Sequence, residues 1–244
     1  MAIKSSLLLL CVLATSAVHA DPSSDSCSAE GLTSKLRDEH KELWDKVVNH
    51  RFTDELASGS IDKAVLSRYL VQDHRFLDAF IVLLSSMVSK ARSLKDRLPG
   101  GRFLGLISGQ ENTYFERSFE ALGVPDDDRL GSPDTPPTAG FKALMLDAAK
   151  GDLHEVLAVL VVAEWTYLSW SERVLPKSVE EPFWCREWAD LHSGEYFTSV
   201  VAYLRNLLDA EEAMLDEAGK AAVKKRFAQA LKLELEFFDQ AYVA

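Results

Sequence analysis

Cysteine is scarce in this chain of 244 residues, which contains three in all. Cys11 lies in the apolar N-terminal segment, so Cys27 and Cys185 would remain after that segment is removed. Two cysteines cannot define a disulfide-rich scaffold, and a buried thiol at Cys185 and a Cys27–Cys185 disulfide both fit the pattern. The chain contains no CxxC or HExxH motif, which argues against a structural zinc site.

Positive charge is also in short supply, with 27 Lys and Arg against 38 Asp and Glu and a formal net charge of −11. Nucleic acids and anionic membrane surfaces bind through basic patches, so neither is expected as a partner. No serine sits in a GxSxG elbow, and Cys185 has no histidine base near it in sequence. If the protein is an enzyme, carboxylates and water are its expected tools, and neither a metal nor an organic cofactor is required.

The first 20 residues read MAIKSSLLLLCVLATSAVHA. One basic residue (Lys4), an apolar core from Leu7 to Val18 and small residues before a cut after Ala20 are typical of a secretory signal peptide. We therefore expect a protein that is secreted or lumenal in the secretory pathway and free of the membrane after cleavage. No later stretch is apolar for long enough to span a bilayer.

Residues 21–30 are polar and are expected to be disordered, whereas helical periodicity dominates from Leu32 onward. Almost nothing alternates as a strand would, so residues 31–244 are predicted to form one all-α, multi-helix bundle of seven or eight helices. Pro99-Gly100-Gly101 is expected to end the second helix, and residues 123–140 to form one long loop. Thr33 or Ser34 and, for the second helix, Ser60 are the expected N-caps. The expected helices run from Thr33 or Ser34 to Asn49, Ser60 toward Leu98, Leu106 to Leu122, Phe141 to Lys150, Leu153 to Val174, Pro182 to His192, Gly194 to Ala218 and Lys220 to Tyr242.

Three acidic residues, Asp73, Glu164 and Glu234, interrupt apolar or aromatic helical stripes. Glu164 is the clearest case, because it follows an unbroken apolar run over residues 156–163 and precedes Trp165. A carboxyl in such surroundings must find a partner, stay protonated or face a polar cavity. Buried carboxyls with shifted pKa values are also the usual material of acid–base sites.

Each acid has an alternative structural explanation. Asp73 shares a helix face with Phe76 and Phe80, as in a site for a flat, amine-bearing ligand, but it could equally pair with Arg75 or with a neighbouring helix. Glu164 could form a buried ion pair or a hydrogen bond with a tyrosine. Glu234 could belong to a solvated acidic face.

Four segments in order resemble the TenA family, the thiaminase II group with a haem-oxygenase-like helical fold. They read FTDELASGSIDKAVLSRYLVQDHRFLDAF, LVVAEWTYLSWSERVL, WADLHSGEYFTSVVAYLRNLLD and LELEFFDQAY. The resemblance extends from about Phe52 to Tyr242.

The resemblance implies a role for each matching position. Asp73 would bind an aminopyrimidine ring, and Glu234 would be the acid–base carboxyl near the leaving amine. His192 falls where the family closes its site with an aromatic residue or a histidine. The implied pocket-lining residues are Phe76, Phe80, Phe141, Tyr167 and Phe237.

One departure from the family pattern bears on chemistry. Members of the cysteine type carry a nucleophilic cysteine where this chain has Ala163, so the chain resembles the glutamate-type branch, with Glu164 as the functional replacement. That branch implies a hydrolase that acts without a cofactor on aminopyrimidine breakdown products of thiamin, including formylated ones, and a possible homo-oligomer. Two alternatives stay open: a protein that binds thiamin or its pyrimidine without turnover, and a secreted helical protein with a repurposed pocket.

Overall fold

The computed structural model describes residues 31–243, and every regular element in that range is helical. The all-α prediction is therefore confirmed, with more and shorter helices than expected. The helices of this range are α1 (Leu32–Glu39), α2 (Lys41–Val48), α3 (Arg51–Ser58), α4 (Lys63–Lys90), α5 (Leu94–Leu106), α6 (Asn112–Leu122), α7 (Asp126–Gly131), α8 (Pro136–Ala148), α9 (Leu153–Val174), α10 (Phe183–Leu191), α11 (Gly194–Glu211) and α12 (Glu217–Gln240).

Helix α9 forms the centre of the bundle. Each residue from Val156 to Ala163 is at most 5% exposed, as expected for a helix that is apolar all round. Helices α11 and α12 pack most extensively against α9, and α4, α2, α3, α8 and α10 surround the rest of it. Glu164 follows this run directly, so the fold places its carboxyl in the interior. No helix within residues 31–243 is long and apolar enough to cross a bilayer.

The predicted helix from Thr33 or Ser34 to Asn49 is instead two helices, which meet at His40. Thr33 and Ser34 do not cap the first helix, whose N-cap is Gly31 without a side-chain hydrogen bond. Thr33 is buried, and its backbone N–H donates to Asp209 Oδ1 at 2.7 Å. A long-range contact has therefore taken the place of the expected local cap.

Helix α4 begins and ends at different residues from those predicted. Asp62 rather than Ser60 caps it, because the Asp62 carboxylate accepts the backbone N–H of Ala64 at 2.7 Å. The helix ends at Lys90, and α5 then runs through Pro99 instead of stopping there. Gly100, the next residue, lets α5 pack closely against α4. A Cβ atom at this position would lie 2.7 Å from side-chain atoms of Met87 and Val88.

The stretch predicted as a loop over residues 123–140 contains all of α7 and the start of α8. Gly123 ends α6 in the left-handed conformation, with φ of 68°. Pro136 and Pro137 occupy the first turn of α8, where proline costs no backbone hydrogen bond. Their prediction as loop residues was wrong because proline also marks helix starts. Helix α11 likewise ends at Glu211 rather than near Ala218, since Asp216 caps the next helix by accepting from Gly219 N.

The predicted signal peptide, the polar segment 21–30 and Cys27 lie outside the described residues. Cys185 is buried and forms no disulfide within residues 31–243, and burial raises the pKa of its thiol to about 11. The Cys27–Cys185 pairing therefore stays a prediction.

Candidate active site

A cavity of about 30 Å³ lies where α4, α8, α9, α10 and α12 meet. This volume is enough for one or two water molecules. Its walls are mainly aromatic, with several carboxyl groups between the rings. The lining residues are Asp73, Phe76, Leu77, Phe80, Glu111, Phe141, Ala163, Glu164, Tyr167, Trp188, His192, Glu234 and Phe237.

The structure brings together all nine site residues that were predicted from the sequence. They come from four helices and one helix end, and residues up to 164 positions apart in the chain line the same space. Their chemical roles stay predictions. The nine are Asp73, Phe76, Phe80, Phe141, Glu164, Tyr167, His192, Glu234 and Phe237.

Asp73 is 7% exposed, and its Oδ2 atom has no hydrogen-bond partner among the described residues. Arg75, the alternative partner, turns elsewhere: its Nε donates to Asp134 Oδ1 at 2.6 Å. The predicted alternative of an Asp73–Arg75 pair is therefore wrong. A buried carboxyl oxygen without a donor is costly, so Asp73 is poised to accept a hydrogen bond from a ligand.

Glu234 is 3% exposed, which contradicts its alternative assignment to a solvated face. That assignment suits Glu236, which is half-buried and lies 3.4 Å from Lys232 Nζ. Glu164 is buried as well, and in the described range no arginine, lysine or tyrosine is bonded to it. Among residues 31–243, neither alternative for Glu164 is present, whether an ion pair or a tyrosine hydrogen bond.

Burial governs the proton affinity of these acids. It raises the pKa of Asp73 to about 7, although a hydrogen bond from Tyr69 acts to lower it. Burial, followed by repulsion from Glu111 and Asp73, raises the pKa of Glu164 well above its usual range. Burial, and then repulsion from Asp73 and Glu164, also raises the pKa of Glu234 well above its usual range. These shifts favour the protonated forms of all three carboxyls, and the neighbouring charges differ from one carboxyl to the next.

His192 closes one side of the cavity at the C-terminal end of α10. Its Nδ1 lies 2.9 Å from the carbonyl oxygen of Trp188, and because a carbonyl only accepts, Nδ1 carries the hydrogen. Burial lowers the pKa of His192 to about 4, so the ring is neutral at pH 7. Its Nε2 atom is then a hydrogen-bond acceptor, and His192 brings no positive charge to the site.

Rings that contact one another make the walls rigid. Phe76 meets Phe141 edge-on, with ring centres 5.1 Å apart, and stacks on Phe80 at 5.5 Å. The hydroxyl of Tyr167 shares a 2.7 Å hydrogen bond with the hydroxyl of buried Tyr69. Such paired rings are suited to hold a flat ligand in one orientation.

Glu111 is the functional candidate that sequence reasoning missed. It ends a π-helical turn, Ile107–Glu111, that joins α5 to α6, and it is 8% exposed. Burial, with a further contribution from Asp73, raises its pKa to about 8. Its neighbours Ser108, Gly109 and Gln110 are exposed, so no apolar stripe marks the segment. The extra residue of a π turn shifts the helical register, which removes the periodic signal.

Comparisons with known proteins agree with this architecture. The sequence profile of the TENA/THI-4/PQQC family matches residues 37–244. A protein of Halalkalibacterium halodurans named aminopyrimidine aminohydrolase is 23% identical over 214 residues, covering 86% of this chain and 95% of its own.

Solved structures show the same fold. A TenA homologue from Pyrococcus furiosus has a TM-score of 0.76 at 24% identity, covering 86% of this chain and 99% of that one. A domain with a haem-oxygenase-like fold from Shewanella denitrificans has a TM-score of 0.63 at 17% identity, covering 86% and 91%. The chain therefore belongs to the TENA/THI-4/PQQC family and is an all-α bundle of the haem-oxygenase-like type.

Proposed function

We propose that this protein is a hydrolase of aminopyrimidine breakdown products of thiamin. The observation that carries the proposal is the convergence of Asp73, Glu164 and Glu234 on one buried, ring-walled cavity. The reaction replaces the amine of a 4-amino-5-aminomethyl-2-methylpyrimidine-like compound: water adds its oxygen to the methylene carbon, the carbon–nitrogen bond breaks, and ammonia leaves. With a formylated amine, water would instead cleave the formyl group as formate. The name of the relative from Halalkalibacterium halodurans is consistent with this class of substrate.

Ring binding falls to Asp73 and the aromatic walls. The unpartnered Oδ2 of Asp73 can accept a hydrogen bond from the ring's amino group or a protonated ring nitrogen. Phe76, Phe141 and Phe237 provide surfaces on which the ring can lie. Stacking and burial orient the reacting arm and exclude bulk water, which strengthens every polar interaction inside the cavity.

Glu234 and Glu164 divide the proton transfers. Burial raises the pKa of Glu234 well above its usual range, which favours the protonated form that can donate a proton to the departing nitrogen. In its ionised form, Glu164 takes a proton from the attacking water or stabilises the electron-poor carbon. Two carboxyls in unequal environments can play opposite roles, and each general acid–base contribution is worth about 10²–10⁴ in rate.

The absence of a thiol at the reacting centre favours water as the nucleophile. Ala163 lines the cavity at the position where the cysteine type has its nucleophile, and it offers only a methyl group. Cys185 is not among the lining residues, and its raised pKa keeps it a thiol rather than a thiolate. Direct attack by water beside Glu164 therefore fits the side chains present.

Product analysis tests the proposal. The mature protein is incubated with the aminomethylpyrimidine and with its N-formyl derivative, and ammonia, formate and product masses are measured. Glu164→Gln and Glu234→Gln should each lower turnover sharply, whereas Glu172→Gln, an exposed acid on α9, should not. Tight binding without ammonia or formate would support a binding protein instead, and no affinity for any aminopyrimidine would support a repurposed pocket.

The cellular location belongs to the same proposal. The N-terminal segment supports export, with a mature chain that begins at Asp21. Mass measurement of the protein purified from its natural source tests this directly. An intact Met1 on the mature protein would contradict it.

A further inference from the structure

The proposed chemistry uses three of the four carboxyls that line the cavity, and Glu111 is the fourth. Its side chain is more than nine-tenths buried, although it ends a short π turn whose residues 108–110 are exposed. An apolar side chain would fill this position at lower cost, because burying a carboxyl without a partner is unfavourable. The ring-binding and acid–base roles proposed above do not explain why a carboxyl is buried at position 111.

The structure lacks a positive charge that could balance these acids. No lysine or arginine lines the cavity in the described part of the chain, and His192 is neutral there. By contrast, Glu211 is equally buried but receives two hydrogen bonds from Arg92, at 2.9 and 3.0 Å. The fold thus pairs a buried acid with a cation elsewhere and leaves the cavity acids unpaired.

A metal ion does not fit this arrangement, because no group of three His, Cys, Asp or Glu side chains within residues 31–243 has the spacing to hold one. A ligand that carries its positive charge on an organic group with N–H donors fits these acceptors better. The unpartnered Oδ2 of Asp73 already provides an acceptor for the ring. Glu111 is then available for a second nitrogen of the same ligand.

We propose that Glu111 determines specificity, by making the cavity prefer a pyrimidine that carries a primary ammonium over neutral relatives with a hydroxymethyl or formylaminomethyl arm. This inference rests on the proposed function and names the substrate class of the same site. Glu111 releases its proton to solvent as it pairs with the ammonium, and the ion pair replaces the missing cation. The nitrogen then leaves as ammonia, which accepts the proton of Glu234. Hydrolysis converts the arm into a neutral hydroxymethyl group, which removes the attraction and favours release of the product.

Calorimetric binding distinguishes charge recognition from a structural role. Two probes are titrated, 4-amino-5-aminomethyl-2-methylpyrimidine and its 5-hydroxymethyl counterpart, which share a ring and differ in charge. All titrations use the mature protein with Glu164→Gln, so that the amine is not consumed. Adding Glu111→Gln should weaken binding of the amine about 10- to 100-fold, as expected for a lost charged hydrogen bond, and change binding of the alcohol less than about 3-fold.

The matched control is Glu120→Gln, which removes the same charge from an exposed position on the adjacent helix α6. It should leave both affinities unchanged. Glu111→Asp keeps the charge and should retain most of the preference for the amine. Circular dichroism checks that each variant is folded, and if Glu111→Gln does not fold, the comparison rests on Glu111→Asp and Glu111→Ala.

Three results would overturn the inference: an equal loss of affinity for both probes, no loss for either, or the same effect from Glu120→Gln. Ammonia release by the otherwise unchanged protein reports separately on the proposed function. If ammonia is released while Glu111→Gln shows no charge preference, the Glu111 inference alone fails. If the preference is present without ammonia release, hydrolysis fails and charge recognition stands, while failure of both probes to bind overturns both.

Discussion

Asp73 on α4 and Asp134 in the segment before α8 have opposite surroundings. Asp134 accepts hydrogen bonds from Arg75 at 2.6 Å and from Lys142 at 2.9 Å, at the rim of the bundle. Partial burial pushes its pKa upward, but the bonds from Lys142 and Arg75 outweigh this and hold the pKa below its usual range. Asp73, two residues before Arg75, has an unpartnered oxygen and a pKa of about 7.

The difference shows how one helix serves two purposes. At the rim, acids are matched with cations and tie α4 to the segment before α8. In the cavity, acids face one another and aromatic rings, which costs stability but leaves acceptors and protons for a ligand. Removing a rim acid should therefore damage the fold, whereas removing a cavity acid should damage the chemistry.

The largest expected effect is the loss of turnover when a cavity acid is replaced. Glu164→Gln should lower the rate of amine hydrolysis by about 10²–10⁴, because it removes one general acid–base group. The urea midpoint of unfolding should stay the same or rise, since glutamine is cheaper to bury than a carboxyl. Rate assays and urea unfolding on the same sample check both parts. A fall in stability with unchanged turnover would show that Glu164 stabilises the fold and does not take part in the reaction.

The second prediction concerns the pH dependence of stability. The folded pKa of Asp73 lies above its unfolded value, so the folded state binds more protons between about pH 4 and pH 7. Its contribution to the unfolding free energy is therefore full below pH 4 and is lost as the pH rises through 7, by up to about 4 kcal/mol, because its pKa is about 4 in the unfolded chain and about 7 in the folded one. Asp73→Asn should flatten the fall in unfolding free energy between pH 4.5 and pH 7.5, as measured by urea titration.

A smaller effect is expected at the rim. Asp134→Ala leaves Arg75 and Lys142 without their shared partner and should lower the unfolding free energy by about 1–3 kcal/mol at pH 7. Because the folded pKa of Asp134 is depressed, its contribution is present above pH 4 and is lost as the pH falls below that value, opposite to Asp73. Turnover should stay within about threefold of wild type, and a hundredfold loss would show that the rim and the cavity are not separate.

The smallest effect is expected for Tyr167→Phe. The variant removes one partner of the 2.7 Å hydrogen bond and leaves the buried hydroxyl of Tyr69 without it. The loss should be about 1 kcal/mol in unfolding free energy. Tyr69→Phe provides the matched comparison, and the double variant should be less destabilised than the sum of the two singles, because each single change breaks the same bond.

The predicted site residues had strong sequence signals because they lie on long helices. Glu164 follows an apolar run of eight residues, so its burial could be inferred without a structure. Asp73 and Glu234 also interrupt apolar stripes, but the sequence left Asp73 open to pairing with Arg75 and Glu234 open to a solvated face. Glu111 lacks such a signal, since it lies at the end of a π turn in a polar stretch. The local helical period carries no information about a residue that enters the core from a short irregular segment.

Long-range contact partners and short helices could not be predicted from the sequence either. Arg75 seemed a natural partner for Asp73, yet it binds Asp134, 59 residues away, because the start of α8 packs beside α4. The helix α7 and the first turn of α8 were predicted as loop, because proline and glycine mark both turns and helix ends. In both cases tertiary packing chose between options that local chemistry left open.

Ammonia release by Glu234→Gln and Glu236→Gln, measured beside wild type, tests most directly whether the buried, unpaired carboxyls are the reacting groups. The two substitutions lie two residues apart on α12, one in the cavity and one beside Lys232 at the surface. Wild type and Glu236→Gln should convert the aminomethylpyrimidine to its hydroxymethyl product at similar rates, with Glu234→Gln at least about a hundredfold slower. Equal rates for the two variants, or no ammonia from wild type, would contradict a hydrolytic centre in this cavity.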